Sequence, residues 1–244
     1  MDIKFRNLFF KYKECWFNRN SSYIFDDDLD FVEFKDSFCD LKLRLMPFYV
    51  GSISLTDDLD AIFAKFSPGF KNEIRRAEKE GVYVSFETNS DILKDCLNSY
   101  VKFSEEKKIA HLRQSTLETY LSENSLLVSR AMHKEIVIRY HLYIKSSACC
   151  SLLASFPSFG LGTDYKKNFL GWANRFLHWT DMIYFKNVGI QSYSLGGIGN
   201  LTEAKSSGIA KFKHEMTPEI ECRYNGIVAL SLKYKIYRFL RRLI

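Results

Sequence analysis

Two glycine-bearing segments and a lysine-rich helix pattern hold the residues best suited to an activated, anionic substrate. The first segment is SFGLGTDYKKN (158–168), which follows an apolar strand pattern and precedes a long helical one. A strand that runs through a glycine loop into a helix presents unpaired backbone N–H groups and the positive end of the helix dipole, which suits phosphate or pyrophosphate. Gly160 and Gly162 permit close backbone approach, Lys166 and Lys167 add positive charge, and Asn168 stands beside them. A flexible β-to-α connection accounts for the same residues equally well, because a lone Gly-x-Gly is a weak signal. The second segment is YSLGGI (193–198), in which Gly196 and Gly197 close a strand pattern. Glycines there let a sheet splay or let a ligand touch backbone, and an ordinary turn is the plainer reading. The helix pattern that follows bears Lys205, Lys211 and Lys213, with Phe212 between the last two; lysines at helical spacing usually form a solvated face.

These segments are useful only if the fold brings them together. Between residues 41 and 244 the hydrophobic periodicity and the caps predict the order β-α-α-β-α-α-β-β-β-α-β-α-β-α. Leu41 to Val50 reads as a strand, Thr56 as the cap of a helix over DDLDAIFAKF, Ser67-Pro68 as the start of the next, and Gly81 as its stop. Asn89 or Ser90 caps a helix reaching about Lys108. Runs 125–132, 135–144 and 148–156 are separated by short turns and form an antiparallel meander. In the helix over 169–188, Phe169, Trp172, Ala173, Phe176, Thr180 and Ile183 recur on one side, and Trp172 and Trp179 read as core. A further helix is expected from Thr202 to Glu215. Such an order fits a mixed sheet with helices on its faces, an α+β chain. If 148–156 and 192–197 are parallel neighbours joined by the 169–188 helix, the SFGLG loop and the Gly196-Gly197 pair share one crevice at the strands' carboxyl ends.

Composition narrows the class. With 46% hydrophobic and 16% aromatic residues, among them 21 Phe and 14 Tyr, the chain is a packed globule rather than a disordered one. It reads as one domain, with an N-terminal elaboration over 1–56, a core over 57–222, and a last strand and basic amphipathic helix over 223–244. The start, MDIKFRNLFFKYK, lacks the apolar run of a signal peptide, and no uncharged stretch approaches a membrane span, so a cytoplasmic location is expected. The six cysteines show no CxxC pairing and read as buried reduced thiols, and the histidines at 111, 133, 141 and 178 show no metal-ligand spacing; no metal is expected. Residues 1–225 carry 30 basic against 29 acidic residues, so the formal charge of +6 belongs almost wholly to the tail. A nearly neutral body argues against DNA as a partner.

Three stretches together carry a resemblance: FKNEIRRAEKEGV (70–82), SYSLGGI (192–198) and GIAKFKHEM (208–216). The chain resembles acyltransferases of the GNAT fold and the Fem type, a group that includes peptidoglycan-bridge aminoacyltransferases and N-acyltransferases of cell-surface polysaccharide pathways. The resemblance spans about residues 60–220. It implies a mixed sheet whose fourth and fifth strands part to admit an acyl-thioester or aminoacyl donor. It places Lys213 at the active site with Phe212 as substrate-binding neighbour, and sets Lys71, Arg75 and Arg76 against the phosphates of the acceptor. The usual acetyl-CoA loop of that superfamily is Gln/Arg-x-x-Gly-x-Gly/Ala; the loop here departs from it at the first position.

The implied chemistry is attack of an amine on a thioester or ester carbonyl, with backbone N–H groups stabilising the oxyanion and a base accepting the ammonium proton. Asp164, Glu203 and His214 are candidate bases, and neither Cys149 nor Cys150 need be a nucleophile. The reading that follows is an N-acyltransferase using a coenzyme A thioester as co-substrate and a nucleotide-linked amino sugar as acceptor. Its rivals are a tRNA-dependent aminoacyltransferase acting on a cell-wall precursor and a non-catalytic membrane-docking module. The tail KYKIYRFLRRLI has Ile236, Phe239, Leu240 and Leu243 on one side and Lys235, Arg238, Arg241 and Arg242 on the other. Residues 233–244 could dock on the sheet, on a partner, or on the inner face of a membrane by weak peripheral contact.

Overall fold

The computed structural model describes the chain except residues 43–44, 162–164, 199–207, 218 and 242–244. Its elements are β1 (Asp2–Arg6), β2 (Lys11–Trp16), β3 (Phe31–Ser37), β4 (Met46–Ser54), α1 (Leu59–Ala64), α2 (Pro68–Lys79), β5 (Tyr83–Ser85), α3 (Ser90–Lys107), α4 (Gln114–Ser122), β6 (Leu126–His133), β7 (Ile136–Lys145), β8 (Cys149–Pro157), α5 (Lys167–Asn187), β9 (Ser192–Gly197), α6 (Gly208–Met216), β10 (Ile220–Ala229) and α7 (Leu232–Leu240). From β4 onward this is the order the hydrophobic pattern predicts. The chain divides into two compact units, one of Met1–Val50, Gly197–Lys205 and Ile220–Ile244, the other of Gly51–Gly196 and Ser206–Glu219.

The second unit positions the candidate site. Its strands lie in the order β4-β9-β8-β7-β6-β5, with β5 through β8 antiparallel and β8 parallel to β9. The mixed, helix-flanked sheet expected from the sequence is therefore present. Ser67 caps α2 by accepting from the Phe70 amide at 3.2 Å, with Pro68 in the first helical position. Phe70, Ile74 and Ala77 then recur at helical spacing on its buried side; burying Phe70 or Ile74 contributes about 2 kcal/mol each. Asn89 caps α3 by accepting from the Ile92 amide at 2.9 Å. Thr56 does not cap α1: the cap position is Asp58, and the Thr56 hydroxyl instead meets Ser54 Oγ at 2.8 Å. The main core of this unit joins Ile53, Ile62, Phe66 and Phe70 to Tyr143, Met182, Phe185 and Tyr193.

In the first unit the order is β1-β2-β3-β10, with β2 and β3 parallel. Sequence reading left residues 1–40 without strands; β1, β2 and β3 form there because Cys15, Val32 and Phe34 bury against Leu29 and Leu45 in a core assembled only in three dimensions. The cysteines carry no disulfide; Cys222, expected to be buried, is exposed on β10.

Candidate active site

Strands β8 and β9 are parallel neighbours, as expected from YSLGGI, and their shared ladder covers Cys149↔Ser192, Cys150↔Tyr193 and Ser151↔Ser194 before it stops. Beyond it, β8 continues to Pro157 paired with β7. The stop has a local cause in Gly196, whose φ of +70° is a conformation that side chains avoid. A Cβ at Gly196 would lie 2.9 Å from the Leu152 carbonyl oxygen, so the two strands approach there at a separation only glycine permits.

Helix α6 brings Lys213 to this point. Its Nζ donates to the Gly196 carbonyl at 3.2 Å, and burial pulls the ammonium pKa down from 10.5 to about 8. The helix is held by its other faces. Phe212 packs between Phe70 and the His178 ring, with centroids 5.9 and 5.5 Å away. Arg175 of α5 donates to Glu215 at 2.8 Å and pairs with Glu73 at 3.1 Å while lying over the rings of Phe70 and Phe212, so one guanidinium ties α2, α5 and α6 together. Arg175 is a positioning residue that sequence reading passed over.

The other expected residues are distributed as follows. Gly160 has φ +82°, and Lys166 takes the cap position of α5 without a side-chain bond to the helix, leaving the first-turn amides uncapped by that side chain. Lys166, Lys167 and Asn168 are exposed, and Gly197 ends β9. Lys71 donates to the Ala64 carbonyl at 2.7 Å, and both it and Arg75 lie over the Phe63 ring. Arg76 lies instead over Trp172. His214 is exposed at the surface of α6. Gly162, Asp164 and Glu203 fall outside the described residues, as does the 202–207 part of the expected helix.

Beside the β8–β9 ladder lies a buried polar network that the sequence reading did not foresee. The Tyr143 hydroxyl donates to Asp181 Oδ2 at 2.6 Å and meets the Tyr193 hydroxyl at 2.6 Å. Tyr193 also meets His178 Nδ1 at 2.7 Å. Because Tyr143 gives its proton to Asp181, Tyr193 donates to Tyr143 and accepts from His178 Nδ1–H, which fixes the His178 tautomer. His141 Nδ1 reaches Asp181 Oδ2 at 2.7 Å, and its Nε2 reaches Asn174 Oδ1 at 2.9 Å. Asn174 Oδ1 accepts from Ser155, whose Oγ in turn accepts from Arg139. Burial and the Asp181 charge raise both phenol pKa values, and burial lowers that of His178.

The ligand-type atoms of His141, His178 and Asp181 lie within 4.8 Å of one another. The 2.7 Å between His141 Nδ1 and Asp181 Oδ2 is a hydrogen-bond length, shorter than the roughly 3.3 Å separating two ligands about 2.0 Å from a tetrahedral zinc ion. The contact between His141 and Asp181 is a hydrogen bond in this geometry. One signal for the cluster exists in the sequence: Asn174, His178 and Asp181 stand at i, i+4 and i+7. The buried side of α5 runs through Ala173, Asn174, Leu177, His178, Asp181, Met182 and Phe185, rotated from the expected Phe169-Trp172-Phe176 side. The large rings lie along its half-buried flanks, and the polar trio faces β7 because His141 and Tyr143 alternate onto that side of the strand.

Since the native state refuses a proton at His178 that the unfolded chain accepts, stability is full above the ordinary histidine value of 6.5 and declines as pH falls below it. Thermal unfolding between about pH 7.5 and about pH 5 should show that decline, within about one unit either side of the ordinary histidine value; His178→Gln should flatten it. An equal decline in the variant would assign the acid sensitivity elsewhere.

No family model and no curated protein sequence matches this chain. Solved structures do share its fold. FemX superposes with a TM-score of 0.65 at 11% identity, over 98% of this chain and 85% of its own. The C-terminal domain of a protein from Agrobacterium fabrum described as a lysylphosphatidylglycerol synthetase gives 0.57 at 11% identity, over 98% and 83%. L-PGS from Bacillus licheniformis gives 0.54 at 14% identity, over 86% and 72%. The chain has the GNAT-like, Fem-type fold that its motifs imply. At these identities the likeness is one of fold.

Proposed function

We propose that this chain is an acyltransferase that moves an acyl group from an activated donor to an amine, with the donor carbonyl at the end of the β8–β9 ladder. The observation that carries the reading is the end of the β8–β9 ladder at Ser151↔Ser194 together with Lys213 against Gly196 at that place. In the reaction the amine nitrogen bonds to the carbonyl carbon, the carbon–sulfur or carbon–oxygen bond of the donor breaks, and the leaving group departs as thiolate or alkoxide. Backbone N–H groups near the end of the β8–β9 ladder would meet the developing oxyanion, and Lys213, its pKa brought down to about 8, is suited to exchange the proton that the attacking amine must lose.

The donor we favour is a coenzyme A thioester, its pyrophosphate at Gly160, Lys166, Lys167 and Asn168 and the N-terminus of α5, with a nucleotide-linked amino sugar as acceptor beside Lys71, Arg75 and Arg76. The second reading, an aminoacyl donor, draws support from the fold shared with FemX and with a protein described as a lysylphosphatidylglycerol synthetase. Thermal unfolding with coenzyme A, acyl-CoAs and aminoacyl-tRNA separates them. A ligand at a hundred times its dissociation constant adds about 2.7 kcal/mol, or roughly 5–10 °C for a chain of this size. A rise with coenzyme A supports the thioester, and a rise with aminoacyl-tRNA alone supports the second reading. No rise with any donor removes the transferase assignment.

A further inference from the structure

Helix α7 is mounted with its apolar side outward. Tyr234 is its buried residue, packed against Phe31 and Phe10, and Arg238 on the same side donates to the Ile227 carbonyl. The opposite side carries Leu232, Ile236, Phe239 and Leu240, at i, i+4, i+7 and i+8; Leu232 is 72% exposed and Phe239 63%. A helix docked only on its own sheet would bury that stripe. Of the ways the tail could dock, the inward-facing stripe is therefore excluded.

A second element adjoins it. The turn between β1 and β2 projects Leu8 and Phe9, which are 93% and 65% exposed. This turn is fixed to the helix: Lys233 Nζ donates to the Phe9 carbonyl and lies over the Phe10 ring, and Phe10 packs on Tyr234 and Tyr237. Both elements are basic. Lys4, Arg6 and Lys11 are exposed on the hairpin, Lys233 and Lys235 flank the helix stripe, and the chain has no acidic residue after Glu221.

We propose that α7 and the β1–β2 turn form a docking surface for an anionic lipid bilayer, with Leu232, Ile236, Phe239 and Leu240 entering the interface and the lysines meeting the headgroups. Large aliphatic and aromatic side chains bordered by cations are the composition of a helix lying in a membrane interface. A second copy of the chain fits poorly, because a two-fold contact sets these lysines and arginines against their own equivalents. Each basic residue brought to an anionic surface raises partition about fivefold. The proposal is independent of the transferase reading. No described helix is long and apolar enough to cross a membrane, so the contact is peripheral.

The test is co-sedimentation of the full chain with phosphatidylcholine vesicles with and without phosphatidylglycerol, at low and high salt. Partition to the anionic vesicles should exceed that to neutral ones by about tenfold or more, fall with salt, and be lost in Ile236→Asp/Phe239→Asp. Both positions are exposed, so unfolding temperature and monomeric mass should not change. Equal partition to the two vesicles, or undiminished partition of the double variant, overturns the proposal. So does a dimer that the double variant converts to monomer, because a second copy would then cover the stripe. If the aspartates unfold the chain, Phe239→Trp replaces them: its emission should shift to the blue on anionic vesicles, and an unshifted spectrum overturns the proposal.

Discussion

Lys213→Ala should lower turnover by about 10²-fold or more while leaving the fold in place. A positioned proton-transfer group supplies 10²–10⁴-fold in general, and Lys213 stands where the β8–β9 ladder ends with its pKa brought down to about 8. On the proposed function the unsubstituted protein should accordingly gain activity as pH rises through about 8, and the variant should lose that rise. Lys213→Arg separates two roles: arginine keeps the charge but holds its proton, so it restores the rate only if the lysine serves as a fixed cation. The alanine variant removes one hydrogen bond to a carbonyl, about 1 kcal/mol, so the unfolding temperature should move by no more than about 4 °C. Between pH 8 and 10.5 the unfolded chain keeps a proton that the native lysine releases, so stability rises with pH in that window, and the variant should not show it. A near-normal rate for Lys213→Ala with the donor found by the binding screen would exclude this residue from the chemistry.

Asp181→Ala should be the most destabilising single change at the site. The carboxylate is wholly buried, and its Oδ2 takes hydrogen bonds from both Tyr143 and His141. Its removal strands a phenol and an imidazole in a core that also contains Phe185 and Met182. Breaking a buried polar network in this way costs about 3–5 kcal/mol, or roughly 6–20 °C in unfolding temperature for a chain of this size. Tyr193→Phe, which removes only the link from Tyr143 to His178, should cost about 1–3 kcal/mol. Differential scanning calorimetry of the two variants gives the comparison. Should Asp181→Ala unfold within a few degrees of the parent, the network would be incidental to stability.

The sequence by itself determined most of the element order and the pairing at the crevice. Those features are written locally: Ser67-Pro68 and Asn89 start helices by capping amides a turn away, the three β runs pair across short turns, and two glycines mark where a strand can leave its neighbour. Phe212 and Lys213 stood out only through the family resemblance, since by spacing alone the lysines of that helix read as a solvated face. What only the tertiary structure decided depends on partners far apart in the chain. Strands β1 to β3 carry little periodicity alone because their core is completed by residues such as Leu45, Tyr224 and Val228. His141 and Asp181 are 40 residues apart and meet only when α5 crosses back over β7, so the helical spacing of Asn174, His178 and Asp181 could not announce their partners on β7. The orientation of α7 was open for the same reason: periodicity gives a helix two sides, and the side that faces inward is chosen by Phe10 and Phe31, which hold Tyr234 and leave the apolar stripe to the outside.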